Sequence, residues 1–246
     1  MKKYQIGIVG YGDFTRLMLE HLCPYADIVV SSRSKTSGDA GFGAKFDSLE
    51  TVLAMPIIIP SIPAQYFEDV FTLNSRLVNP HATVVDVCSV KVKPLQTLER
   101  LLPKSCQIIG MHPMFGPSSV QRNGGLKDLR CAVCVVRAEV DTIESLNTLL
   151  KTNLGLRVIA MSAEQHDKET AYVMGLSHYI GRVMSEMNIP ESELSTLAYE
   201  DLMDMKMIQG SDSWDLFQSI ISENEFMDEV RSEFRRACDR LDNRLV

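Results

Sequence analysis

Gly7-Ile8-Val9-Gly10-Tyr11-Gly12-Asp13-Phe14-Thr15 closes an apolar run that begins at Tyr4 and opens a helical pattern that extends to Leu22. A glycine-rich turn between a first strand and a first helix is the setting of a dinucleotide-binding turn. Gly10 permits the tight turn and Gly12 lets backbone approach a pyrophosphate. The helix N-terminus, at Asp13 and Phe14, offers free N–H groups and a positive dipole end to phosphate. Thr15 stands where a third glycine is usual, and a small residue there still allows helix to pack on strand.

Outward from this turn, strand-like runs alternate with helical patterns, the signature of an α/β domain with a mainly parallel sheet. The runs are Tyr4 to Val9, Ile28 to Val30, Ile57 to Ile59, Thr83 to Val87, Gln107 to Gly110, Cys131 to Val136 and Arg157 to Met161. The pattern predicts a Rossmann-type, doubly wound sheet over residues 1–162. Strand signals then stop, and residues 163–246 read as helices broken at Asn188-Ile189-Pro190 and Gln209-Gly210-Ser211. The first of these helices is expected to run from Ala163 to about Met187, and the Met-rich stretch from Met203 to Met207 is expected in the helical core. An all-helical segment of this size has little volume for a core of its own, so it is read as a dimerisation domain and the chain as a homodimer.

Composition narrows the partner. The 246 residues are 45% hydrophobic and 23% charged, values of a folded protein. The net charge of −7 and the lack of a basic run argue against nucleic acid and anionic membranes. Met1-Lys2-Lys3-Tyr4 leads into a run too short for a signal peptide, and no stretch approaches the ~20 apolar residues of a membrane span, so a cytoplasmic protein acting on a small molecule is expected. Six cysteines scattered through apolar segments read as reduced, buried thiols. Cys131 and Cys134 lie at an odd spacing in a strand pattern, which puts them on opposite faces and argues against a metal or redox pair.

Cofactor choice is read at the end of the second strand, in Val30-Ser31-Ser32-Arg33-Ser34. No carboxylate stands there to hold a ribose hydroxyl and repel a 2′-phosphate. Arg33 can pair with that phosphate, and Ser32 and Ser34 supply hydroxyl donors, which favours NADP. Two other strand ends carry unusual chemistry: Asp86-Val87-Cys88-Ser89-Val90-Lys91 and Gly110-Met111-His112-Pro113-Met114-Phe115-Gly116-Pro117. Glycine and proline are read as holding His112 out of regular structure on a rigid loop, where an imidazole can take a proton near neutral pH.

These motifs, with Ala163-Glu164-Gln165-His166-Asp167, Leu176-Ser177-His178 and Ser211-Asp212-Ser213-Trp214-Asp215-Leu216, resemble the prephenate and arogenate dehydrogenases of tyrosine biosynthesis over nearly the whole chain. The resemblance implies a Rossmann domain followed by a helical dimerisation domain, and oxidative decarboxylation of a cyclohexadienol with NADP. By it His112 is the base, Ser89 orients the same hydroxyl or imidazole, and Lys91 is a positive charge near the cofactor or carboxylates. His178 and His166 would reach substrate from the helical domain. Twelve residues apart, they diverge by about a third of a turn on a straight α-helix and need a bend to share a small site. The family's bacterial members often hold the ring carboxylate with an arginine in a stretch where this chain has only Lys206. The chain is closer to the plant-like branch, and the absence of an acid from Met205 to Gly210 favours prephenate over arogenate. Lys168 and Asp167 leave room for another two-domain NADP oxidoreductase, of the hydroxyacid-dehydrogenase or imine-reductase kind. A non-catalytic NADP sensor is the reading from another class.

Overall fold

The computed structural model describes residues 4–210 and 212–245. It divides into two compact units, Met1–Ala163 and Glu164–Val246. Met1, Lys2 and Lys3, and Ser211 of the Ser-Asp-Ser motif, lie outside the described residues.

The first unit follows the order β1 (Tyr4–Val9), α1 (Asp13–Leu22), β2 (Ala26–Ser31), β3 (Gly38–Gly41), β4 (Ala44–Phe46), α2 (Leu49–Leu53) and β5 (Ile57–Pro60). It continues with α3 (Phe67–Asn74), β6 (Thr83–Asp86), α4 (Val92–Leu101), β7 (Gln107–Pro113), α5 (Pro117–Asn123), β8 (Arg130–Arg137), α6 (Val140–Asn147) and β9 (Arg157–Ala160). Among the described residues the strands form one sheet in the order β3-β4-β2-β1-β5-β6-β7-β8-β9. From β1 the chain runs outward to β2, then returns past β1 to β5. Right-handed crossovers therefore place α1 on one face and α2, α3 and α4 on the other. Leu17 and Leu19 of α1 pack with Ile6, Ile8 and Ile109. Leu53, Phe67, Phe71 and Leu98 pack with Ile58, Val84 and Ile108 on the opposite face. The doubly wound sheet expected from the sequence is thus present, and its order reverses at β1 and β5, where such sheets bind ligands.

Three features depart from the sequence reading. A glycine-rich hairpin, β3 and β4, extends the edge beyond β2, with Phe42 held at φ 55 between Gly41 and Gly43 at φ 98 and 86. The α5 helix follows the histidine segment. The strand carrying His112 does not stop at Gly110: β8 runs antiparallel beside it, pairing His112 with Ala132 and Met111 with Val133. His112 therefore sits inside a strand and not on a loop, because ladder bonds from a distant segment extend β7 past its glycine.

The second unit comprises α7 (Ala163–Thr170), a π-helical stretch Ala171–Leu176, α8 (Ser177–Glu186), α9 (Leu197–Gly210), α10 (Trp214–Ser222) and α11 (Met227–Leu245). Its core gathers Ala171, Phe217, Ile220, Ile221, Met227 and Val230. Helices α8 and α9 approach closely at two glycines. A Cβ on Gly181 would lie 2.6 Å from that of Gln209, and one on Gly210 would lie 2.1 Å from Ser185 Oγ. The other sides of α9 stay open, so it buries no residue fully and Met207 is 64% exposed. The Met-rich stretch is thus a partly open helix face and not the expected core. Among the described residues no helix is long and apolar enough to cross a membrane.

Candidate active site

The glycine turn lies at the carboxyl end of β1, on the switch point. Gly10 has φ +105, and a Cβ there would sit 2.3 Å from the Ser61 carbonyl oxygen. Only glycine fits where β1 leaves beside β5. Thr15 is fully buried, and its hydroxyl donates to Gly10 O at 3.2 Å and lies 2.9 Å from Ser61 Oγ. The residue in the third glycine's place therefore ties the turn to the segment after β5. Gly12 is the N-cap of α1, with no side-chain cap and no atom within 4 Å of where a Cβ would stand. With no side chain capping the first N–H groups of α1, that helix end fits a pyrophosphate. The Asp13 carboxylate is held by Arg16 at 2.6 Å, which offsets its charge at that end.

At the end of β2, Arg33 is exposed, and the Ser32 and Ser34 hydroxyls lie 3.3 Å apart. Lys35, which the sequence reading passed over, folds back toward the turn. Its ammonium lies 5.4 Å from the Tyr11 ring centre and 5.5 Å from that of Phe46. Arg16 covers Tyr11 as well, at 5.2 Å. A cation two residues beyond Arg33 was the available signal.

Ser89 and His112 belong to the carboxyl ends of neighbouring parallel strands, β6 and β7, which pair through Asp86 and Gly110. Ser89 is half-buried just after β6, and His112 is 4% exposed. Lys91, expected as a positive charge near the cofactor or carboxylates, is fully buried. Its ammonium pairs with Asp86 and donates to Met111 O at 2.7 Å. A lysine is buried only when its charge is met, and Asp86 meets it from five residues earlier in the chain. Gly110 makes room for the stem, since a Cβ there would lie 3.0 Å from Lys91 Cδ. Between Asp86 and Lys91, burial pushes the Cys88 thiol well above its usual range, and the Asp86 carboxylate adds to the effect. Burial likewise holds the Cys131 thiol up at about 12. Cys131 and Cys134 occupy opposite core faces, while Cys238 is exposed, against the expectation of buried thiols throughout.

In the second unit His166 and Asp167 are buried together, Nδ1 lying 2.7 Å from Oδ1, and Asn224 donates to Asp167 O at 2.8 Å. His178 Nδ1 lies 2.9 Å from Asp212 Oδ2. Arg182, one turn after His178, donates to Asp212 O at 2.7 Å, with its guanidinium 5.0 Å from the Phe217 ring centre. The sequence reading missed Asp212 beside His178 and Arg182 bonded to the Asp212 carbonyl, although the four-residue spacing of His178 and Arg182 was legible. The π-helical stretch turns the two histidines toward a common face but leaves them about 17 Å apart along the helix, too far to share a small site. It absorbs one residue, so the separation counts as eleven α-helical steps, within about 20° of three full turns. Lys168, one of the two residues behind the hydroxyacid-dehydrogenase or imine-reductase reading, forms an exposed ion pair with Glu164 at 2.5 Å. Lys206 donates to Ile189 O at 3.0 Å.

Comparison with known proteins adds an independent line. A family model described as prephenate dehydrogenase, nucleotide-binding domain, matches residues 18–136, and one described as TYRAAT1-like, C-terminal domain, matches residues 183–246. The chain is 28% identical to arogenate dehydrogenase 1, chloroplastic, of Arabidopsis thaliana, over 96% of this chain and 39% of that protein. It is 28% identical to arogenate dehydrogenase 2, chloroplastic, of the same organism, over 89% of this chain and 64% of that protein. The chain thus spans less than two thirds of the length of either. Its fold matches that of prephenate dehydrogenase from A. aeolicus, solved with hydroxyphenyl propionate and NAD+, with a TM-score of 0.72 at 18% identity, covering 99% of this chain and 91% of that one.

Proposed function

Because the chain belongs to the prephenate and arogenate dehydrogenase family, we propose that it is an NADP-dependent oxidoreductase that converts prephenate to 4-hydroxyphenylpyruvate by oxidative decarboxylation. The observation that carries this reading is the placement of Ser89 and His112 on the ends of adjacent parallel strands, in the sheet whose switch point holds the glycine turn. When bound, the nicotinamide supplies the oxidising power, taking a hydride from the ring carbon that bears the hydroxyl.

His112 takes the proton of that hydroxyl, and Ser89 orients the hydroxyl or the imidazole. Loss of carbon dioxide then leaves an aromatic ring, which drives the reaction. The backbone after Gly12 receives the pyrophosphate, and Arg33 with Ser32 and Ser34 receives the 2′-phosphate. His178, with the Asp212 carboxylate beside its Nδ1, is proposed to bind a substrate carboxylate, while His166, enclosed with Asp167, serves packing. The helical unit is proposed to pair with a second copy. Its exposed Tyr172, Val173, Leu194 and Leu197 support that reading, and light scattering should give a dimer mass. A monomer at micromolar concentration would overturn it.

A second reading, arogenate as substrate, is favoured by the likeness to the two Arabidopsis proteins. Against it, the one acid close upstream of the Ser-Asp-Ser motif, Asp204, is exposed on α9, and Asp212 is engaged with His178. Reduction of NADP followed at 340 nm with each substrate decides between them. A kcat/KM at least tenfold higher for arogenate would replace prephenate, and no turnover with either would overturn the proposal.

A further inference from the structure

The fully buried Asp86 and Lys91 form a bridge between the segments that carry Ser89 and His112. One carboxylate oxygen of Asp86 accepts the Cys88 N–H at 2.8 Å, one residue before Ser89. The other meets the Lys91 ammonium, and that ammonium donates to the carbonyl of Met111 at 2.7 Å, one residue before His112. The Met111–His112 peptide, and the Val87–Cys88 peptide one unit before that leading into Ser89, are therefore anchored to a single ion pair, and Gly110 leaves the gap through which the lysine stem crosses.

A buried ion pair is weak as a source of stability, since a hydrophobic pair of similar size often serves the fold as well or better. What it supplies that a hydrophobic pair lacks is direction: a charged donor and acceptor fix the carbonyl and the N–H they bind. β7 is already held by ladder bonds to β6 and β8, whereas the stretch from Val87 to Lys91 lies outside strand and helix. The bridge thus ties this irregular segment directly to the strand that carries His112.

We propose that Asp86 and Lys91 are positioning residues that set Ser89 and the His112 imidazole at their working separation, and that Lys91 acts from beneath the site without touching cofactor or substrate. The inference rests on the roles given above to Ser89 and His112. It would extend the set of residues on which the reaction depends to two that no ligand reaches.

The test is the double variant D86N/K91M, which keeps an acceptor for the Cys88 N–H and leaves no unpaired charge. Thermal melting and NADP titration establish the folded, cofactor-competent fraction, and turnover is expressed per such site. The expected result is NADP affinity within about twofold of the parent and unchanged substrate KM, with kcat lower by ~10²-fold, the scale of a misplacement near 1 Å. Histidine-selective ¹⁵N spectra give a readout that needs no substrate. The His112 imidazole should show one tautomer pattern in the parent and averaged or doubled signals in the variant. A variant with parental kcat per site and parental His112 signals would overturn the proposal. If the parent turns over neither prephenate nor arogenate, the His112 signals still decide whether the bridge positions the ring, so the two readings fail separately. If the double variant does not fold, D86E, which keeps the pair and lengthens its reach, carries the same two readouts with the same expected and overturning results.

Discussion

Alanine at Gly10 and alanine at Gly12 should produce opposite failures, although the two glycines are two residues apart. At Gly10 the backbone has φ +105, which costs a residue with a Cβ ~1–2 kcal/mol. The new carbon would also stand 2.3 Å from the Ser61 carbonyl oxygen and 2.8 Å from Ile62 Cγ2. Ser61 has little freedom to retreat, since its N–H donates to Val9 O at 2.8 Å and its hydroxyl meets Thr15. Relieving such a contact costs a further ~1–3 kcal/mol, for a total loss of about 2–5 kcal/mol. At Gly12 the backbone is extended, φ −97 and ψ −172, and the Cβ would meet nothing within 4 Å. Gly12→Ala should therefore change stability by less than ~0.5 kcal/mol. Its methyl group projects where a pyrophosphate would approach, so NADP affinity should fall tenfold or more, about 1.4 kcal/mol. Urea unfolding and NADP titration measure the two effects. A midpoint for Gly10→Ala equal to the parent's would refute the steric argument, and unchanged NADP affinity in Gly12→Ala would refute the placement of the pyrophosphate.

Arg33→Ala should cost ~1.5–3 kcal/mol of NADP binding and little NAD binding, read by titration with each cofactor. Equal losses would show that Arg33 does not distinguish them. His112→Asn should keep NADP affinity and lower turnover by ~10²–10⁴-fold, and parental turnover would remove His112 as the base. The Cys131 thiol, ordinarily near 9.0, is raised to about 12 by burial, so its neutral form is the one the fold prefers. That preference is complete below pH 9 and is lost as pH rises toward 12, at up to about 1.4 kcal/mol per pH unit. Urea midpoints of Cys131→Ala should consequently fall less steeply between pH 9 and 10.5 than the parent's, and parallel slopes would count against this origin.

The parts of the fold legible in the sequence are those written in local pattern. The strand, glycine turn and helix from Tyr4 to Leu22 follow from a run of apolar residues, two glycines and a change of period. What stayed hidden depends on distant partners. The extension of β7 through His112 arises from pairing with β8, some twenty residues on, and Gly110 and Pro113 taken alone point to a loop. The β3 and β4 hairpin is short and glycine-rich, with little to mark it as strand. Lys91 reads as a surface charge until Asp86 and Met111 are seen around it. Asp212 gains its meaning only when α8 and α10 are brought together.

The π-helical stretch Ala171–Leu176 has a bearing on how the sequence can change in length. A π turn is an α-helix that has taken in one extra residue. Removing one residue within 171–176 would return the stretch to α geometry and leave the flanking helices in their present rotational register, with His178 and Arg182 still toward Asp212. Removing one residue from α8 between Ser177 and Arg182 would swing everything beyond it by about 100° and separate Arg182 from Asp212. Length variation in this helix should therefore be confined to its under-wound turn, and a sequence alignment that places a gap elsewhere along it would misassign the histidine.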